Sequence, residues 1–166
     1  YQDFLLTLKK GSIMSVDLIQ DNDVSSILKQ DGVDKTFIGE EYENLSLTRL
    51  EEIKGKMGEP PWAARIVYNK RFGGVLICQN PGEGNRLHYH PDADECWVIL
   101  EGSWEWYIEG KGKKQVGIND IVSVQEGTPH QITCVGDSPG IRFAITAPDV
   151  NHVYYEKGES KNGNEV

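Results

Sequence analysis

Cysteine is scarce in this chain of 166 residues: only Cys78, Cys96 and Cys134 occur, widely spaced and never as a C-x-x-C pair. That excludes a disulfide framework and a structural zinc knuckle as the organising device, and makes a reducing compartment, the cytoplasm by default, the expected location. Basic charge is also short, since 17 Lys and Arg stand against 26 Asp and Glu for a formal charge of −9. Duplex binding depends on basic groups that displace counterions from phosphates, so nucleic acid is not an expected partner. No apolar run approaches the roughly 20 residues that cross a bilayer. The apolar patch in "YQDFLLTLKKGSIM" is too short and too interrupted for a secretion signal. Internal repeats, a Gly-rich phosphate loop and a G-x-S-x-G elbow are missing as well. Histidine occurs only four times, yet His88 and His90 stand one residue apart.

What is present divides the chain in two. Residues 1–58 carry helix signals: Asp23 can cap "VSSILKQ", which stops at Asp31-Gly32. In "NLSLTRLEEIKGKMG", Leu45, Leu47, Leu50, Ile53 and Met57 recur near helical spacing before Gly58 and "EPP" end the segment. This apolar stripe must bury against something. It is expected to cover an open face or mouth of the domain that follows, or to sit at a dimer interface, and to supply no metal ligand.

From Trp62 onward, short β-rich runs alternate with Gly, Asn, Asp and Pro clusters. They are "ARIVYN", "GVLICQ", "ECWVILEG", "SWEWYIEG", "DIVSVQEG", "HQITCVG", "IRFAITA" and "HVYYE". Such spacing predicts an all-β sandwich or barrel over residues 59–156, with a polar, disordered tail at 157–166.

The histidine pair belongs to a longer pattern. In "GEGNRLHYHPDADECWVILEG", five residues separate Gly82 from His88, one separates His88 from His90, four lead to Glu95 and six to Gly102. Farther on, "NDIVSVQEGTPHQITC" supplies Gly127, Pro129 and His130. Together these resemble the two short motifs of the cupin superfamily. The first matches at each marked position. The second departs from the family's pattern at Asn119, Gln125 and Cys134.

The resemblance implies an all-β fold, a double-stranded β-helix or jelly-roll barrel, with the partly helical N-terminal extension outside it. It also implies a metal held by His88, His90, Glu95 and His130. Strand alternation agrees, because residues two apart on a strand point the same way. Glu95 would then head the antiparallel return strand, and His130 would start another strand after the "EGTP" turn. The bland alternative, histidines exposed on two unrelated loops, does not account for the combined spacing. The nitrogen and oxygen donor set suits one divalent transition metal per chain, Fe(II) first, with Mn, Ni, Co or Zn compatible.

Alternation extends the inward set to Arg86, Trp97, Ile99, Ile132 and Cys134. An arginine facing a metal cavity is costly unless it meets an anion, so Arg86 is the leading substrate-binding candidate, with Arg65 and Arg142 as weaker versions and Trp97 beside the metal. The plain alternative for Arg86 is an ion pair with a cavity carboxylate. Trp104 and Trp106 read as core ahead of a stacking platform, and His152 reads as a partly exposed strand histidine ahead of a proton-transfer group.

The implied function is a metal-dependent enzyme acting on a small polar, anionic metabolite. Oxygenase chemistry is placed ahead of isomerase, lyase or decarboxylase chemistry on the same ligands. Lyases of this superfamily often set a tyrosine beside the metal, where this chain has Trp97, although Tyr68, Tyr89, Tyr107, Tyr154 or Tyr155 could approach. No catalytic residue is assigned. A non-catalytic small-molecule-binding cupin is the competing class, and a storage role does not suit a single short barrel. The expected partners are a small-molecule substrate and a second copy in a homodimer, with no membrane.

Overall fold

A computed structural model describes residues 19–39 and 41–155. The expected tail at 157–166 lies outside the described residues. The elements in chain order are β1 (Ile19–Asp21), α1 (Val24–Gln30), β2 (Lys35–Phe37), α2 (Leu50–Met57), β3 (Trp62–Tyr68) and β4 (Gly73–Gln79). They continue with β5 (His88–Tyr89), β6 (Glu95–Glu101), β7 (Ser103–Ile108), β8 (Gly112–Val116), β9 (Ile121–Val124), β10 (His130–Val135), β11 (Gly140–Thr146) and β12 (His152–Tyr154). The strands form two six-stranded sheets, one in the order β1-β12-β5-β10-β7-β8 and the other β2-β3-β4-β11-β6-β9. The expected all-β double-stranded β-helix is the fold observed.

The sheets face each other because their strands alternate. Trp97, Ile99 and Val122 of the second sheet meet Trp104, Trp106, Ile132 and Cys134 of the first in one buried cluster. Trp104 and Trp106 are fully buried, as core. The opposite parity of the second sheet is also apolar. Trp62, Ala64, Leu76, Cys78 and Ile141 form a second cluster on its outer face, closed by Ile53 and Met57 of α2. That is where the N-terminal apolar stripe goes. Lys35 donates from Nζ to the carbonyls of Met57 (2.8 Å) and Glu59 (2.7 Å), placing a cation at the negative end of α2.

The second helix is shorter than its apolar pattern suggests. It begins at Leu50, and Leu45 and Leu47 are exposed. Asn44 prevents the extension: it has φ +58°, donates from Nδ2 to the Tyr68 carbonyl and accepts from the Tyr68 amide, which pins the loop to the end of β3. The first helix forms as its cap predicts, with the Asp23 side chain accepting from the Ser25 amide. Leu28 of α1 and the following Val33 enter the cluster between the sheets, so α1 roofs one mouth of the barrel. The extension also lends strands to both sheets, through β1 on β12 and β2 parallel to β3.

Candidate metal centre

His88 opens β5 and His130 opens β10, and the two residues are direct cross-strand partners. His90 follows β5 with the same parity as His88, and both are buried. Gly127 delivers His130: at φ +72° it makes the turn before β10, and its amide donates to the His90 carbonyl at 2.6 Å. Glu95 heads β6 as expected, but β6 pairs with β9 and β11 and does not return beside β5. The chain crosses between sheets over Pro91–Asp94, so the carboxylate approaches the three imidazoles from the facing sheet.

One donor atom from each of His88, His90, Glu95 and His130 lies within 4.8 Å of the others, and all four residues are buried. Each imidazole is oriented by a backbone carbonyl. Nδ1–H of His88 donates to Arg86 (2.8 Å), that of His90 to Asn151 (3.0 Å) and that of His130 to Thr128 (2.9 Å). A carbonyl can only accept, so each neutral ring carries its lone pair on Nε2. Nε2 of His130 is buried without a hydrogen-bond partner, 3.6 Å from Glu95 Oε2. Three lone pairs and a carboxylate aimed at one point repel unless a cation stands between them, and this is the donor set a divalent transition ion takes. The residues therefore fit the metal that the sequence implies.

The titration behaviour shows the same frustration. Burial, followed by the neighbouring imidazoles, pushes the His88 pKa well below its usual value. Burial would raise Glu95, but the neighbouring His130 and His90 imidazoles outweigh it and hold the carboxyl well below the usual range. Burial likewise opposes protonation of His90, and its 2.7 Å contact with Glu95 overrides that and raises its pKa.

A cavity of about 100 Å³ opens beside this centre, between the sheets and beneath α1. Val24, Ile27 and Leu28 form its roof, and His88, Glu95 and Trp97 form its floor near the donor cluster. Trp97 also packs edge-on against His130 at 5.3 Å. Of the three candidate arginines, Arg65 and Arg142 line the cavity and Arg86 does not. Alternation from His88 does not reach Arg86, because β5 begins only at His88. The Arg86 side chain turns to the end of α1, donating from Nε to Asp31 (2.7 Å) and from Nη1 to Gln30 (3.0 Å), over the Tyr154 ring at 3.8 Å. Arg65 pairs with Glu43.

Two further residues belong to the site. His152, on β12, lies with its ring 4.8 Å from His88 in a stacked arrangement and 4.3 Å from His90. Its Nδ1–H donates to the Val150 carbonyl at 3.1 Å, as His88, His90 and His130 do to theirs, and burial followed by His90 lowers its pKa to about 4. It lines the cavity, so its reading as a simple strand histidine understates its position. Gln79 is buried on the cavity wall and accepts from Arg142. The sequence held a signal for it, since Val75, Ile77 and Gln79 share one strand face.

Residues 75–146 match a family model described as "Cupin domain", a match that supports the resemblance to the cupin superfamily over that segment. No curated protein matches the chain significantly. Among solved structures it is similar to an uncharacterized conserved protein with a double-stranded β-helix domain from Klebsiella pneumoniae, at TM-score 0.57 and 17% identity over 68% of this chain and 100% of that one. A protein from Thermus thermophilus superposes at TM-score 0.54 and 21% identity, over 63% of this chain and 98% of the other. The DMSP lyase DddQ of Ruegeria pomeroyi superposes at TM-score 0.51 and 23% identity, over 58% of this chain and 53% of that one. At these identities the likeness is one of fold.

Proposed function

We propose that this protein is a metal-dependent enzyme acting on a small anionic metabolite, with Fe(II) as the resident ion and oxygenation as the reaction. The observation that carries the metal reading is the convergence of three carbonyl-oriented imidazoles and Glu95 on one point of a cavity wall. A divalent transition ion bound there supplies Lewis acidity and, as Fe(II), the redox chemistry that dioxygen requires; Mn, Ni, Co and Zn suit the same donors. The chain's own contributions are to fix the imidazoles through their Nδ1–H bonds, to exclude water with the α1 roof and Trp97, and to attract an anion with Arg142.

A second reading, an isomerase, lyase or decarboxylase, is favoured by His152. Among the described residues its Nε2 makes no hydrogen bond, and its ring lies against both His88 and His90, where it can take or deliver a proton at a substrate carbon or oxygen. The test is a panel of short carboxylic acids incubated with Fe(II)-loaded protein in D₂O beside an oxygen electrode. Oxygen uptake that tracks consumption of an acid supports oxygenation. Solvent deuterium entering a recovered acid without oxygen uptake supports the second reading. Binding of an acid with neither outcome returns the protein to the non-catalytic class.

We also propose a homodimer in a reducing compartment, the cytoplasm. Its support is Ile121, 70% exposed on the edge strand β9, with Ile118 beside it at 59%, and the three free cysteines. Sedimentation of the wild type and of Ile121→Lys tests the dimer.

A further inference from the structure

Among the described residues, the cavity wall holds one arginine with no carboxylate in contact. Arg142, on β11, is 3% exposed, and among the described residues no carboxylate lies within 4.0 Å of it. Its Nη1 donates to Gln79 Oε1 at 2.5 Å, its guanidinium lies over the Trp104 ring at 4.6 Å, and its buried Nε has no partner. Gln79 is itself fixed, because its Nε2 donates to the Gly84 carbonyl at 2.9 Å and so turns its oxygen to the arginine. The acids on the same wall are engaged elsewhere: Asp31 by Arg86, Glu95 by His90 and Asp149 by the Tyr68 hydroxyl. Arg65, the other arginine of the wall, has Glu43. A buried guanidinium whose neighbouring carboxylates are each held by another partner keeps donors to spare, and such a group suits an anion that comes from outside.

We propose that Arg142 and Gln79 form a carboxylate-binding subsite, and that the ligand is a short carboxylic acid reaching from this guanidinium toward the histidine cluster. The planar fork of a guanidinium pairs with the two oxygens of a carboxylate. The cavity lining also includes the apolar side chains of Val75, Ile77, Leu28 and Ala144. Size points the same way. A dry cavity of roughly 150 Å³ holds benzene, so one of about 100 Å³ takes a ligand of only a few heavy atoms under the closed roof. Glu95 faces Thr146 across the β6–β11 ladder, and Arg142 is four residues along from Thr146, roughly 13 Å by strand rise. A short acid held at Arg142 therefore points its other end toward the histidine cluster without spanning the whole distance.

The inference rests on the metal-enzyme reading only for that second end; the anion contact stands without a metal. The full chain, stripped of metal, is titrated with butyrate and with its neutral isostere butyramide. Binding is followed by calorimetry and by the fluorescence of Trp104, under the guanidinium, and Trp97, on the wall. Butyrate is expected to bind about ten-fold or more tightly than butyramide, the contribution of charge-assisted hydrogen bonds. Arg142→Met, which keeps length and removes charge, is expected to abolish the preference. Gln79→Glu is expected to do the same by giving Arg142 an internal carboxylate, and decides the matter where Arg142→Met does not fold. Equal binding of acid and amide by the wild type overturns the proposal, as does a preference that survives in a folded variant. Tighter binding of inorganic phosphate than of butyrate overturns the carboxylate assignment. Failure of the metal reading is a separate result: wild-type protein without metal by elemental analysis that still prefers the acid.

Discussion

His88 and His130, 42 positions apart in sequence, face each other across two hydrogen-bonded strands with their ring centroids 4.4 Å apart. This register pair joins the two sequence motifs into one site, because each imidazole is locked by a carbonyl two residues away on its own segment. The first prediction follows from it. Protein purified without chelators or a nickel column is expected to carry a single transition-metal ion per chain by elemental analysis, and His90→Ala and His130→Ala to lose it. Chelation is expected to lower the melting temperature, since an ion that binds only the folded site stabilises it by mass action. A metal-free wild type that cannot be reconstituted, with an unchanged melting temperature, contradicts this.

His152 separates wall from ligand. It lies outside the group of four donors that converge within 4.8 Å, so His152→Gln is expected to retain wild-type metal content. If the reaction moves a proton through this ring, turnover of the substrate is expected to fall by about 10²- to 10⁴-fold. Loss of the metal in His152→Gln would make it a fifth ligand.

The N-terminal apolar stripe yields a contrast between neighbours. Ile53 is fully buried against the outer face of the second sheet, whereas Leu47 is 64% exposed. Ile53→Ala is expected to cost about 2–5 kcal/mol in urea unfolding, and Leu47→Ala to stay within about 0.5 kcal/mol of wild type. Folded Ile53→Ala should keep its metal, because α2 reaches no ligand. Equal effects at the two positions would show that α2 does not pack as described.

Thiol reactivity should follow burial. Burial, followed by the charge of Glu101, pushes the Cys78 thiol up to about 12, and burial raises Cys134 and Cys96 as well. The thiolate is the nucleophile, and it forms only as pH rises toward the folded-state pKa. Near neutral pH, iodoacetamide is therefore expected to leave Cys78 and Cys134 unmodified in the folded protein. The half-buried Cys96 should react first and all three only on unfolding, as read by peptide mass spectrometry. Early labelling of Cys78 would refute its burial.

The eight strands visible as β-branched and aromatic runs all form, because each buries an apolar face whichever neighbour it finds. The other four strands, of which only β5 was expected, from its histidine spacing, lack that feature. β1 and β2 are three residues long, β5 is two, and β8 is the exposed, lysine-bearing edge "GKKQV". Their strand character comes from the partner's hydrogen bonds and not from their own side chains. The helices divide along the same line. Asp23 caps α1 by a contact two residues away and was legible, whereas the late start of α2 depends on Asn44 holding β3, 24 residues on.

By itself the sequence pointed to the fold and, through the motif resemblance, to His88, His90, Glu95 and His130 as a candidate donor group, since strand alternation, turn glycines and motif spacing act over a few residues. The tertiary structure decided the rest of the site. It set Glu95 on the sheet opposite the histidines and brought His152 against His88 and His90 from 62 positions beyond His90. It also distinguished among arginines that look alike in sequence. Arg86 finds Asp31 only because α1 folds across the barrel mouth, and Arg65 finds Glu43 in the loop before α2. Among the described residues, Arg142 hydrogen-bonds only Gln79. Whether a cation is spent on the scaffold or left for a ligand depends on which segments dock around it, and docking brings together residues that no local pattern connects.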